Sequence, residues 1–174
     1  LEDEVDENTA IVTVMYANNE TGTVYDVERA AEIAHKKGAL FHTDAVQAAG
    51  KIPLNLKNSG IDLLSISGHK LHGPKGVGVL YIRKGTRLPS FMLGGHQESG
   101  RRAGTENVPG IIGLGKACEL AAGFMDEENN RVQSLRDKLE KAVLESCPDC
   151  RLNGAGDRRL PNTTNISFEY IEGE

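Results

Sequence analysis

Residues 10–15, Ala-Ile-Val-Thr-Val-Met, form a short apolar run of strand length that ends in the polar, turn-forming Asn18-Asn19-Glu20-Thr21-Gly22. The period then changes. Asp26 stands where a helix cap belongs, Val27, Ala30, Ala31 and Ala34 share one face of the helix it would start, and Gly38 supplies a left-handed stop. Residues 39–42 read as another short strand, delivering Asp44 at its end. An alanine-rich turn and the breakers Gly50 and Pro53 lead to a strand over residues 61–67, then Gly68-His69-Lys70, then a strand over residues 77–82.

Strands alternating with helices predict an α/β fold with a mostly parallel sheet wrapped by helices. In such sheets ligands bind outside the carboxyl ends of the strands, where Asn19, Asp44 and the group from Ser67 to Lys70 all fall. Residues 94–104 are glycine-rich, charged and aperiodic, a stretch of irregular chain of the kind that is functional or mobile in compact domains. Pro109 starts a long helix with Ile112, Cys118 and Leu120 among its apolar positions. Gly123 and Asp126 are expected to divide it from a second helix carrying Val132, Leu135, Leu139, Ala142 and Val143. That division places a domain boundary near Asp126, between residues 1–125 and 126–174, and residues 165–170 read as a further strand.

Composition narrows the functional classes. The 174 residues include 39% hydrophobic residues, enough for a buried core, and the apolar runs at 61–66 and 77–82 are far shorter than the roughly 20 residues of a membrane span, so no membrane partner is expected. Twenty Lys and Arg against 25 Asp and Glu give a net charge of -5, which argues against nucleic acid as a partner. The acidic start is unlike a secretory signal, and Leu1 in place of an initiator methionine suggests a fragment. Three cysteines, Cys118, Cys147 and Cys150, fit reduced thiols in a cytoplasmic protein.

Lys70, led out of a buried strand, has the placement of an amine nucleophile, although a solvated loop lysine has the same local sequence. Asp44 is either the carboxylate that keeps a pyridoxal ring nitrogen protonated or a cap for the turn over residues 45–49. Cys147-Pro148-Asp149-Cys150 has the spacing of a redox or zinc half-site, but no second pair completes it and incidental thiols are the better account. His69 and His72 are not placed on one helical face, because Gly68, Gly73 and Pro74 forbid a regular helix, so no metal site is expected. Residues 73–78 lack the Gly-Lys-Ser/Thr ending of a nucleotide loop and read as turn punctuation. Cys118 reads as a small core residue.

Four segments, Asn18-Asn19-Glu20-Thr21-Gly22, His42-Thr43-Asp44-Ala45-Val46-Gln47, Ser65-Ile66-Ser67-Gly68-His69-Lys70 and Gly100-Arg101-Arg102-Ala103-Gly104-Thr105-Glu106-Asn107, resemble in order and spacing the cysteine desulfurases, closest to the nitrogen-fixation type. The resemblance covers residues 5–174. It implies the central part of a fold-type I pyridoxal-phosphate transferase plus the start of a smaller α+β domain. It further implies that Lys70 carries pyridoxal 5'-phosphate as a Schiff base and shuttles the substrate's α-proton, and that Asp44 partners the pyridinium. By the same resemblance Gln47 donates to the ring hydroxyl, Asn19 lies near that hydroxyl and the substrate carboxylate, and Ser67 and His69 hold the phosphate. Thr105 would reach the phosphate of the neighbouring subunit of a homodimer.

The reaction so implied converts L-cysteine to alanine and an enzyme persulfide, which passes to an iron-sulfur scaffold protein. The family's mobile catalytic cysteine, its ring-stacking histidine and its carboxylate-gripping arginine have no counterpart in these residues. Two other readings remain open: a selenocysteine lyase or related class V aminotransferase, and a catalytically silent fragment acting as a folding or dimerisation module.

Overall fold

The computed structural model describes residues 1–172, so the last two positions of the expected 126–174 domain lie outside the described residues. Strands β1 (Ile11–Met15), β2 (Leu40–Asp44) and β3 (Leu63–Ser67) run parallel, and β4 (Gly78–Ile82) closes the sheet antiparallel to β3. Their spatial order follows the chain, β1-β2-β3-β4. The expected mostly parallel sheet is present, with one antiparallel edge.

Helix α1 (Val27–Lys36) crosses from β1 to β2 and covers one sheet face. Asp26 caps it by accepting from the Arg29 amide at 3.0 Å, and Gly38 follows it at φ 81°, as the sequence predicts. Its buried stripe of Val27, Ala30, Ala31, Ile33 and Ala34 packs on Val12, Phe41, Ala45 and Leu64 to form the main core. Small side chains set the approach distance: a Cβ on Gly60 would sit 2.8 Å from that of Ala31.

The amino edge of the sheet is held by Asp62. Its carboxylate is buried, accepts from the Phe41 amide at 2.8 Å and from His35 Nε2 at 2.7 Å, and lies 3.8 Å from Arg83 Nε. The register pairs Met15 with Asp44 and Asp44 with Ser65, so the carboxyl ends of the three parallel strands finish side by side.

Helix α2 (Val108–Ser146) corrects the sequence reading, because it runs unbroken for 39 residues through Gly123 and Asp126. Neither residue ends it: Gly123 has nothing within 4 Å of where its Cβ would be, and its helix-forming neighbours Ala121, Ala122, Phe124 and Met125 carry the backbone across it. Asn107 caps α2 by accepting from the Gly110 amide at 3.2 Å, with Pro109 in the first turn. Gly110, Leu114 and Ala117 are its buried positions, and the last two join Ala49 and Leu71 in a second core. By length and composition alone α2 would suffice to cross a membrane, and its start packs on Ala49 and on Leu71 of the turn after β3.

Within the stretch expected to be irregular, β5 (His96–Gln97) and β6 (Arg102–Ala103) form a short antiparallel pair. Beyond α2, β7 (Cys150–Leu152) pairs antiparallel with β8 (Ile166–Phe168), a shorter strand than the residues 165–170 expected.

Candidate active site

The loop after β1 is shaped by Asn18. Its Oδ1 accepts from the amides of Glu20 and Thr21 at 2.9 and 2.8 Å, and its carbonyl accepts from the Gly22 amide at 3.1 Å. Gly22 closes the turn at φ 74°, and the exposed Asn19 is left with an amide free of hydrogen bonds to the described residues. The sequence singles out Asn19; the turn that presents it is the work of its neighbour.

At the end of β2, Asp44 accepts from the Val46 amide at 2.9 Å through Oδ1 while its side chain stays exposed. Both sequence alternatives therefore survive in one residue, since one oxygen caps the turn and the other is open. Gln47 is half-buried a turn later, and its carbonyl accepts from Lys51 Nζ at 3.0 Å.

Lys70 sits in a 3-10 turn, Gly68–Leu71, that leaves β3. The turn is fixed by the Gly68 amide donating to Val77 O and the Gly73 amide donating to Gly68 O, both at 2.9 Å. Gly68 is required there, because a Cβ would lie 2.9 Å from Val77 Cγ1 and 3.0 Å from Pro74 O. The exposed Lys70 ammonium makes no hydrogen bond or ion pair among the described residues, whereas Ser67 Oγ and His69 Nδ1 lie 2.9 Å apart. Lys70, Lys51 and α2 residues including Phe124 and Met125 border a cavity of about 650 Å³. Burial and then the Lys70 charge push the Lys51 ammonium below its ordinary pKa.

His42 is a site neighbour whose role sequence reasoning missed. It lies two residues before Asp44 and so on the same face of β2. Its Nδ1 is 2.5 Å from Thr13 Oγ1 and its Nε2 2.9 Å from Ser65 Oγ, which ties β1, β2 and β3 together beside Asp44. Burial lowers its pKa against the opposing influence of Asp44, favouring the neutral ring. The signal was the period of two from Asp44 back to a histidine.

Thr105 is exposed on the segment between β6 and α2, not on the parallel-strand ends that carry Asp44 and Ser67. Among the described residues no cluster of His, Cys, Asp and Glu could hold a metal. Cys147 and Cys150 are free thiols, and Cys150 donates to Cys147 O at 2.9 Å. Desolvation, then Cys147 and Asp149, hold the Cys150 thiol above its ordinary pKa, the opposite of an activated nucleophile. Cys118 packs half-buried against the second core.

A family model described as aminotransferase class-V matches residues 1–174. A cysteine desulfurase of Gluconacetobacter diazotrophicus is 63% identical over 166 residues, covering 95% of this chain and 42% of that protein. The cysteine desulfurase NifS of Azotobacter vinelandii is 60% identical over 168 residues, covering 97% of this chain and 42% of that protein. Among solved structures, a NifS-like protein superposes with a TM-score of 0.91 at 44% identity, over 98% of this chain and 47% of that one. The chain thus spans less than half the length of the relatives it matches.

Proposed function

The chain belongs to the aminotransferase class-V family, and from that membership we propose that it is the central part of a cysteine desulfurase. The reaction would break the Cβ–S bond of L-cysteine, pass the sulfur to an enzyme thiolate as a persulfide, and return a proton to the carbon to leave L-alanine. The observation that carries this reading is the placement of Lys70 on a glycine-constrained turn at the end of β3, beside the strand that ends in Asp44.

The family depends on pyridoxal phosphate, and the residues present fit it. A primary amine, an open carboxylate, two free amides, a hydroxyl and an imidazole are gathered at three adjacent strand ends. When bound, the cofactor supplies an electron sink for the substrate's α-carbon. Lys70 would hold the cofactor's aldehyde carbon and, once displaced by substrate, take and return the α-proton at its Nζ. Asp44 would keep the ring nitrogen protonated, and burial, by lowering the pKa of the neighbouring His42, disfavours a competing positive charge there. Gln47 would donate to the ring hydroxyl, Asn19 to that hydroxyl and the substrate carboxylate, and Ser67 and His69 to the phosphate.

Neither Cys118 nor Cys150 is placed as the persulfide carrier in this proposal, because the Cys150 thiol is pushed above its ordinary pKa and Cys118 packs against a core, and Cys147 is read with Cys150 as an incidental pair of thiols. We further propose a cytoplasmic homodimer, with Thr105 reaching the partner's phosphate, and an iron-sulfur scaffold protein as sulfur acceptor. The three free thiols and the exposed Phe91 and Leu93, at 98% and 87%, support the compartment and a subunit contact respectively. The relatives' names support a role in nitrogen fixation. The division into residues 1–125 and 126–174 also belongs to the proposal, with the correction that α2 passes through it without a break.

The test is to incubate the chain with pyridoxal phosphate, reduce with borohydride and map the label by mass spectrometry. Label confined to Lys70, and lost in Lys70→Ala, is the expected result. Label spread over other lysines with Lys70 unmodified would overturn the assignment. In the full-length protein, alanine released from L-cysteine at an undiminished rate by Lys70→Ala would do the same.

A further inference from the structure

Residues 153–165 fold back onto the loop that presents Asn19, more than a hundred positions away in sequence. The Val24 amide donates to Arg158 O at 2.9 Å and the Leu160 amide to Gly22 O at 2.8 Å. The Ala155 amide donates to Thr23 Oγ1 at 3.1 Å, and Asn165 Nδ2 to Glu20 O at 3.3 Å. The fit is close: a Cβ on Gly22 would lie 2.6 Å from Thr163 Cβ, and one on Gly154 would lie 2.8 Å from Thr21 Cβ.

Helix α2 fixes this return segment through two side chains. Arg136 Nη1 donates to the carbonyls of Leu160 and Thr163, each at 3.1 Å. Glu140 pairs with Arg159 Nη2 at 2.8 Å and accepts from Thr164 Oγ1 at 2.6 Å, with side-chain exposures of 15% for Glu140 and 5% for Arg159. Among the described residues only Nη2 of Arg159 is used; its Nε and Nη1 are buried without a partner there.

We propose that the buried Glu140–Arg159 pair is a latch that sets the position of the 18–23 turn, and through it of Asn19. Glu140 and Arg159 are then positioning residues, acting through a loop whose role in binding substrate rests on the function proposed above. The pair suits this task because both charges are buried, so movement of the return segment away from α2 separates two desolvated charges and is costly.

The experiment is residue-resolved amide hydrogen exchange on the ligand-free chain. In Arg159→Met, exchange at Asn18, Gly22, Val24 and Leu160 is expected to rise by about tenfold or more while Phe41 and Thr43 in β2 keep their wild-type rates. Because one nitrogen makes the whole contact, Arg159→Lys is expected to restore most of the protection. Glu140→Gln, which keeps an acceptor for Thr164 and removes only the charge, provides the same reading should Arg159→Met not fold. Unchanged exchange in the 18–24 segment, an equal rise in β2, or a lysine variant as open as the methionine one would each overturn the latch. The role of Asn19 is separable: Asn19→Ala is expected to change the absorbance of the chain with pyridoxal phosphate and to leave these exchange rates alone.

Discussion

Replacing Asp62 separates charge from hydrogen bonding at the amino edge of the sheet. In Asp62→Ala the Phe41 amide, on a residue with 0% exposure, loses its acceptor. Leaving such a donor unpaired costs about 1–3 kcal/mol. The bond from His35 adds little, because that side chain is 43% exposed. Arg83 keeps the carbonyls of Ile61 and Ser59 as acceptors, at 2.9 and 2.7 Å. The sum is about 3 kcal/mol for alanine and about 1 kcal/mol for Asp62→Asn, whose carbonyl oxygen can still accept from Phe41. For a chain of this size those losses lower Tm by about 6–12 °C and about 2–4 °C. Thermal and urea unfolding followed by circular dichroism measure both. An asparagine variant as unstable as the alanine one, or an alanine variant within about 1 kcal/mol of wild type, would refute the assignment of the cost to the Phe41 amide.

Gly68→Ala is expected to destabilise by about 1–3 kcal/mol through the contacts with Val77 and Pro74, and to slow borohydride labelling of Lys70 at temperatures where the variant remains folded; unfolding curves and labelling kinetics check it. Since burial lowers the His42 pKa in the folded state, the unfolded chain binds its proton first, so its stabilisation is fully present above about pH 6.5 and is lost as pH falls below that. His42→Gln should remove that part of the slope from urea midpoints measured across this range. For Glu140, burial raises the pKa but hydrogen bonds from Arg159 and Thr164 and nearby positive charge outweigh it, so the folded value is depressed. Its contribution is present above the ordinary carboxylate value and disappears as pH falls through the folded one, and Glu140→Gln should flatten acid unfolding there.

The central sheet and its strand-end residues are legible in the sequence because their signals are local. The apolar runs, the Asp26 cap and the Gly38 stop each act within a few residues, and all three recur in the structure. What escaped depends on distant partners. Glycine and aspartate at 123 and 126 carry the local signature of a helix break, yet a solvent-facing glycine costs a helix only about 1 kcal/mol, less than α2 recovers from the turns on either side. The cross-strand role of His42 needs Thr13 and Ser65, and the pairing of Arg159 with Glu140 needs the return of the chain after α2. Strands β5, β6 and β7 are two or three residues long, too short to show a period.

An unbroken helix makes the spacing between its two attachments discrete. Leu114 and Glu140 are roughly seven turns apart on one rod, and each residue added or removed between them turns the far end by about 100° and shifts it by about 1.5 Å. A single deletion would swing Glu140 away from Arg159 without disturbing one residue of the sheet. Length changes in this segment should therefore be selected against at every step, since even one that restores the phase, such as seven residues, carries Glu140 about 10 Å along the axis, while substitutions along the exposed side of α2 remain free.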